Sequence, residues 1–234
     1  GFIGATDENE STTLGREGSD YSAAVFANIL NAESLTIWKD VDGVMNGDPK
    51  KFKNAIKLDA LSYTHAIEMA YYGATVIHPK TIQPLQSKHI PLYVKSFINP
   101  KGKGTTVSTT SKEKDIPTYI SKTNQVLLSV SSKDFSFIVE DNLSGIFATL
   151  AKHRININLM QNSAISFSIC VDNKPEKLAL LKKDLSELFV VRSNENVELL
   201  TVMHYEEKAL KTIMGKREIL LEQRTRTGVQ FVIK

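Results

Sequence analysis

The chain has 234 residues, with 29 Lys+Arg against 26 Asp+Glu and a formal net charge of +3. Its 41% hydrophobic and 24% charged residues describe a folded protein of two modest domains and exclude a disordered one. The small net charge excludes a concentrated nucleic-acid footprint, no apolar run reaches the roughly 18 residues of a membrane span, and the lone Cys170 excludes a disulfide framework or cysteine-rich zinc site.

No signal peptide opens the chain, so the expectation is a cytoplasmic protein. It starts Gly1-Phe2-Ile3-Gly4 and stops on Lys234 inside an alternating apolar run, as a piece of a longer protein would.

A helix is expected over 19–30, with Tyr21, Val25, Ile29 and Leu30 on one face and alanines filling the gaps. Residues 35–38 read as a short buried strand, 62–72 as a helix with Gly73 as its C-cap, and 74–77 and 92–97 as further strands. That alternation argues for an α/β layer with a largely parallel sheet. Between about Asn99 and Thr123 neither period survives among Pro, Gly, Ser, Thr and Lys, which marks a connector.

Beyond it the order is strand, helix (Leu143, Ile146, Phe147, Leu150), two alternating strands turning at Ser163-Ala164, helix (Leu178, Leu181, Leu185, Leu188) and a closing strand from Phe189. This β-α-β-β-α-β order is the ferredoxin-like plan, and 197–233 reads as a shortened copy of it. The division expected is 1–107, a linker over 108–117, a first α+β unit over 118–195 and a shortened one over 196–234. Two such small units bury little alone, which predicts pairing with each other or with another chain.

Residues 12–20 read Thr-Thr-Leu-Gly-Arg-Glu-Gly-Ser-Asp and lead into the first helix. Gly15 and Gly18 permit close backbone approach, Ser19 or Asp20 can cap the helix, and its free N–H groups attract a carboxylate or phosphate. Arg16 offers a bidentate fork for a carboxylate and Asp20 an acceptor for an ammonium, which together describe an amino acid. The same residues also suit a capped helix after a glycine turn. Residues 38–49, Trp-Lys-Asp-Val-Asp-Gly-Val-Met-Asn-Gly-Asp-Pro, follow a strand end, where open α/β sheets bind ligands. One loop suited to an amino acid and one to a nucleotide suggest phosphoryl transfer. Asp40, Asp42 and Asp48 form a candidate metal cluster, but without the glutamate of a calcium loop, and each also fits plain turn chemistry.

Three strings, TTLGREGSDYSAA, IWKDVDGVMNGDP and EMAYYGATVIHPKTI, closely resemble aspartokinase in order and spacing. The resemblance implies the C-terminal part of an amino-acid-kinase domain, an open mainly parallel sheet with helices on both faces, followed by tandem ferredoxin-like ACT units. It implies transfer of the ATP γ-phosphoryl group to L-aspartate, giving 4-phospho-L-aspartate and ADP, the first step toward lysine, threonine, methionine and diaminopimelate. Arg16, Gly18, Ser19 and Asp20 would hold aspartate, with Arg16 and Asp20 closest to the chemistry. Lys39, Asp40, Met45, Lys50, Thr75 and Val76 would surround ATP, which brings its own Mg2+; no protein-only metal site is expected. Met45, Lys50 and Thr75 stand where the family often has tyrosine, arginine and lysine, and Val76 contributes backbone.

In the C-terminal half the resemblance implies an effector site, for lysine or threonine, from Ser136, Asp141, Asn142, Leu143, Asn156, Ile157 and Asn158. Asp141 replaces a common glycine there, and Asn158 an aspartate that often receives the lysine ammonium. A homodimer or higher oligomer through the ACT units is implied, with no nucleic-acid or membrane partner. The family's Lys-Phe-Gly-Gly-Thr-Ser phosphate loop is not in this sequence, so these residues alone are expected to be inactive. Two other readings are a stand-alone amino-acid-sensing module and a kinase fused to homoserine dehydrogenase. His78, before Pro79, reads as a histidine bonded to backbone at a strand end, and the Lys216, Arg217, Arg224, Arg226 tail, interleaved with Glu218 and Glu222, as a solvated strand face.

Overall fold

The computed structural model describes residues 3–14, 17–74, 76–109, 116–134 and 136–234, in two compact units that meet in sequence at Ile120 and Ser121. In the first unit, β1 (Ile3–Ala5) and β2 (Ser11–Thr13) form an exposed antiparallel ribbon leading to α1 (Gly18–Ile29). A four-stranded sheet follows, built from β3 (Leu35–Lys39), β4 (Ala60–Ser62), β5 (Leu92–Ser96) and β6 (Thr105–Ser108) in the order β3-β5-β6-β4. The β3/β5 and β4/β6 pairs are parallel and β5/β6 is antiparallel, so the sheet is mixed with a parallel majority. Leu92, Val94 and Val107 are fully buried at its centre.

Helix α2 (Tyr63–Tyr72) begins where Ser62 accepts the His65 N–H and ends at Gly73, whose φ of 116° suits glycine alone, as its sequence signals require. Two expectations are corrected. The described residues Ala74, Val76 and Ile77 belong to no strand, and the next element is α3 (Pro79–Gln86). His78 is bonded to backbone, as expected, but at the start of that helix: its Nδ1 accepts the Lys80 N–H at 3.1 Å, with Pro79 at the first helical position. Helix α1 is turned the other way: Ala24 and Ala27 are buried, whereas Phe26, Ile29 and Leu30 lie outward. Its small face sits close to α3, and Asn28 Nδ2 donates to Pro84 O at 2.6 Å and to Ser87 Oγ at 3.0 Å.

The second unit carries one six-stranded sheet, not two separate ones. Its strands are β7 (Thr118–Ser132, entering from the first unit), β8 (Ile157–Asn162), β9 (Ser166–Asp172), β10 (Phe189–Met203), β11 (Ile219–Arg224) and β12 (Gly228–Ile233), ordered β11-β12-β10-β7-β9-β8. Strand β10 runs unbroken through the point where the sequence suggests one unit ending and another beginning, so a single strand serves both. Asn124 and Asn196 take positive φ inside the two long strands, a conformation asparagine accepts more readily than most residues. On one face, α4 (Glu140–Lys152) and α5 (Pro175–Leu188) bury Ile146, Leu150, Leu181 and Leu185 against Val126, Leu128 and Ile169. The other face has its own cluster of Leu127, Leu159, Cys170, Leu199 and Val232. Helix α6 (Glu207–Met214) follows β10 in sequence. Burial, helped by nearby Asp172, pushes the Cys170 thiol up to about 12, so it behaves as a small apolar group.

Candidate active site

The loop before α1 ends on Glu17, held at φ 58°, and α1 starts on the buried Gly18. Neither Ser19 nor Asp20 caps the helix; both lie inside its first turn, Ser19 exposed and Asp20 turned inward. Asp20 Oδ2 lies 2.9 Å from Lys39 Nζ, with only 15% and 22% of the two side chains exposed. A pair this well covered is worth more than a surface salt bridge, because either charge left alone retains its desolvation cost. The structure thus joins the amino-acid loop to the end of β3, two segments that sequence places 19 residues apart (39 − 20). Arg16, Gly15 and Thr75 lie outside the described residues.

Beside this pair, β3 and β5 end in register at Lys39 and Ser96, and the Phe97 N–H donates to Lys39 O at 2.9 Å. A cleft of about 280 Å³ opens nearby, lined by Asp42, Met45, Lys57, Ser96, Asn99 and the Gly102-Lys103-Gly104 turn. Gly104 lines it, and Gly43 follows the lining residue Asp42 in sequence. Gly104 sits at φ +70°, where a Cβ would meet Val94 O at 2.2 Å; Gly43 sits at φ +146°, where one would meet Thr105 Oγ1 at 2.5 Å. Lys57 Nζ donates to Gly104 O at 2.8 Å and to Asp59, and Thr105 Oγ1 accepts the Val44 N–H at 2.8 Å while donating to Leu58 O.

Of the residues expected around ATP, Met45 lines this cleft. Asp40 and Lys50 are exposed, the Lys50 N–H donating to Asp48 Oδ1, and Val76 lines a small apolar cavity of about 10 Å³ with Val44, Leu61 and Met69. The Asp40, Asp42, Asp48 cluster does not form: among the described residues no three His, Cys, Asp or Glu side chains gather at ligand distance. Asn99 and Lys103 escape sequence reasoning because 99–104 reads as connector, and Lys57 because it lies beyond the loop motif of 38–49. The Lys-Gly-Lys-Gly string a few residues after a strand was the available signal.

In the second unit, Asn142 Oδ1 accepts the Val139 N–H at 3.0 Å at the start of α4, and Asp141 is exposed. Ser136 donates its N–H to Asp134 Oδ1 and accepts from Ser132 Oγ, and Leu143 packs on the helix-side core. Asn156 is exposed and Ile157 pairs with Val171. Asn158 is engaged inside the sheet: Nδ2 donates to Gln125 Oε1 at 2.7 Å and Asp172 Oδ1 at 2.8 Å, and Oδ1 accepts from Lys122 Nζ at 3.0 Å. Burial lowers the Lys122 pKa against the opposing pull of Asp172. Burial alone would raise Asp172, but the Asn158 and Gln125 bonds and the Lys122 charge outweigh it and hold the carboxyl below the usual range.

Residues 1–96 match the family model described as the amino acid kinase family. The chain is 36% identical over 179 residues to lysine-sensitive aspartokinase 3 of Escherichia coli strain K12, covering 74% of this chain and 38% of that protein. It is 32% identical over 195 residues to the chloroplastic bifunctional aspartokinase/homoserine dehydrogenase 2 of Zea mays, covering 81% of this chain and 21% of that one. Its fold matches the crystal structure of E. coli aspartokinase III in complex with aspartate and ADP at a TM-score of 0.81 and 28% identity, over 100% of this chain and 56% of the other. The chain therefore spans between about a fifth and somewhat over half of the length of these relatives. With the loop motif, the mixed α/β unit and the ferredoxin-like sheet all accounted for by one set of relatives, the chain belongs to the aspartokinases.

Proposed function

We propose that the intact protein is an aspartate kinase. A β-carboxylate oxygen of L-aspartate attacks the γ-phosphorus of ATP, the bond to the β,γ-bridging oxygen breaks, and 4-phospho-L-aspartate and ADP leave. The observation that carries this reading is the Asp20–Lys39 pair, which puts the loop suited to an amino acid beside the cleft suited to a nucleotide. Asp20 receives the substrate ammonium, Ser19 and Gly18 offer polar contact at the helix start, and Arg16 takes a substrate carboxylate. Lys39 has a second duty, pairing with Asp20 and holding it inward. Met45 and Asn99 line the base and ribose, and Lys57 and Lys103 bring positive charge to the cleft. Asp42 is the one carboxylate in the lining and fits a magnesium ion carried on the phosphates, which would supply charge neutralisation.

Feedback control by lysine or threonine belongs to the second unit. The E. coli relative is described as lysine-sensitive, and here Lys122 already places an ammonium on Asn158, which supports weak selectivity for lysine. Association of the intact protein through this unit is supported by β8, an edge strand with Met160 half exposed. The 234 residues alone do not turn over aspartate, since they carry no Lys-Phe-Gly-Gly loop.

Calorimetry of the intact protein tests the two pockets separately. ADP with magnesium and L-aspartate each bind, and prior ADP does not block aspartate. Competition between them would mean that the loop and the cleft form one site.

A further inference from the structure

Asn46 follows Met45 in the cleft wall and is 5% exposed. Its backbone N–H donates to Ile56 O at 2.9 Å and its Oδ1 accepts the Ile56 N–H at 2.7 Å. Its Nδ2 donates to Pro117 O at 2.8 Å, and its backbone O accepts the Tyr119 N–H at 2.6 Å. Gly47 pairs in parallel with Tyr119, and the Tyr119 ring stacks on Phe52 with centroids 5.3 Å apart.

These bonds divide into two kinds. The Ile56 pair, with the Met45–Lys57 bridge and the Leu58 N–H to Val44 O bond, closes the 44–58 loop on itself. The Pro117 and Tyr119 pair does nothing for that closure. It reaches 71 residues along the chain to the segment that opens β7, and β7 then runs without a break to Ser132. A buried carboxamide has two donors and an acceptor, and here its two ends serve two different segments.

We propose that Asn46 is a positioning residue that ties the cleft wall to the leading end of β7, so that nucleotide in the cleft and order at residues 117–120 rise and fall together. The inference rests on the nucleotide reading of the cleft. The segment that opens β7 thus bears directly on the residue next to Met45, within the first unit. Coupling of this kind is reciprocal, so ordering of the strand end strengthens nucleotide binding by the factor with which nucleotide orders the strand.

Hydrogen exchange of the intact protein, with and without ADP and magnesium, tests the link. ADP is expected to slow amide exchange at residues 118–120, the N–H groups that follow Pro117, about tenfold. Asn46→Asp keeps the acceptor for the Ile56 N–H but sets an oxygen against the Pro117 carbonyl. It is expected to bind ADP about threefold more weakly and to lose the slowing at 118–120. Asn46→Ala, which removes both ends, loses the slowing as well. If ADP still slows 118–120 in Asn46→Asp, the carboxamide only packs the loop and the proposal is overturned. If the wild type binds ADP without any response at 118–120, the coupling is absent whether or not the variants fold. If calorimetry shows that the wild type does not bind ADP, the nucleotide reading itself falls, and the inference with it.

Discussion

Asp20→Ala in the intact enzyme is expected to lower kcat/KM for aspartate about a hundredfold, or about 2.8 kcal/mol at 1.4 kcal/mol per tenfold. Two losses combine. The substrate ammonium loses its counter-charge, and Lys39, 22% exposed, keeps its charge without a partner. Breaking one side of a covered ion pair costs about 3–5 kcal/mol in fully buried cases, and the remaining exposure here places the figure at the lower end. Lys39→Met alone leaves Asp20 uncompensated, so it too is damaging, and the double variant is less impaired than the sum of the singles. Steady-state kinetics of the four proteins supplies the cycle. Asp20→Ala with kcat and KM both within about threefold of wild type would remove Asp20 from the aspartate pocket.

Gly104→Ala is expected to destabilise the first unit by about 3 kcal/mol. The strain has two sources: φ of +70° is poor for any L side chain, and the new Cβ would stand 2.2 Å from Val94 O. Val94 is fully buried at the sheet centre, so the backbone there has no easy escape, and the Lys57 bond to Gly104 O shifts with the turn. Trp38, the single tryptophan, lies in β3 and reports this unit by fluorescence. With a urea slope of about 2 kcal/mol/M, the midpoint moves down by about 1.5 M. Gly102→Ala, where the added Cβ would lie 3.1 Å from Asn99 O and φ is not positive, moves it much less. A Gly104→Ala midpoint within about 0.3 M of wild type would show that the turn relaxes freely and does not shape the cleft.

Local signals in the sequence were strongest where capping chemistry sets the element. Ser62 and Gly73 mark both ends of α2, and the alternation of Phe167, Ile169 and Val171 marks β9. Periodicity misleads in α1, where the buried face is alanine because α3 comes close, and the large apolar side chains are left outward. Strand β6 is hidden because one of its inward residues is Thr105, a polar side chain whose hydroxyl is satisfied by Val44 and Leu58 from another segment. No window of sequence contains those partners. The site divides in the same way: motif spacing exposes Asp20 and Lys39 but not their pairing, and Met45 but not Lys57, Asn99 and Lys103 in the same cleft. Asn46 lay within a recognised loop and was still silent, since its role depends on Pro117 and Tyr119.

Hydroxylamine trapping of the acyl phosphate tests the proposed kinase chemistry most directly. The intact protein is incubated with ATP, magnesium and L-aspartate, and aspartyl hydroxamate and ADP are quantified together. Hydroxamate that forms only when ATP and aspartate are both present, with one ADP released for each, is the expected result. ADP release without hydroxamate, or hydroxamate unchanged by omission of ATP, would contradict phosphoryl transfer to aspartate.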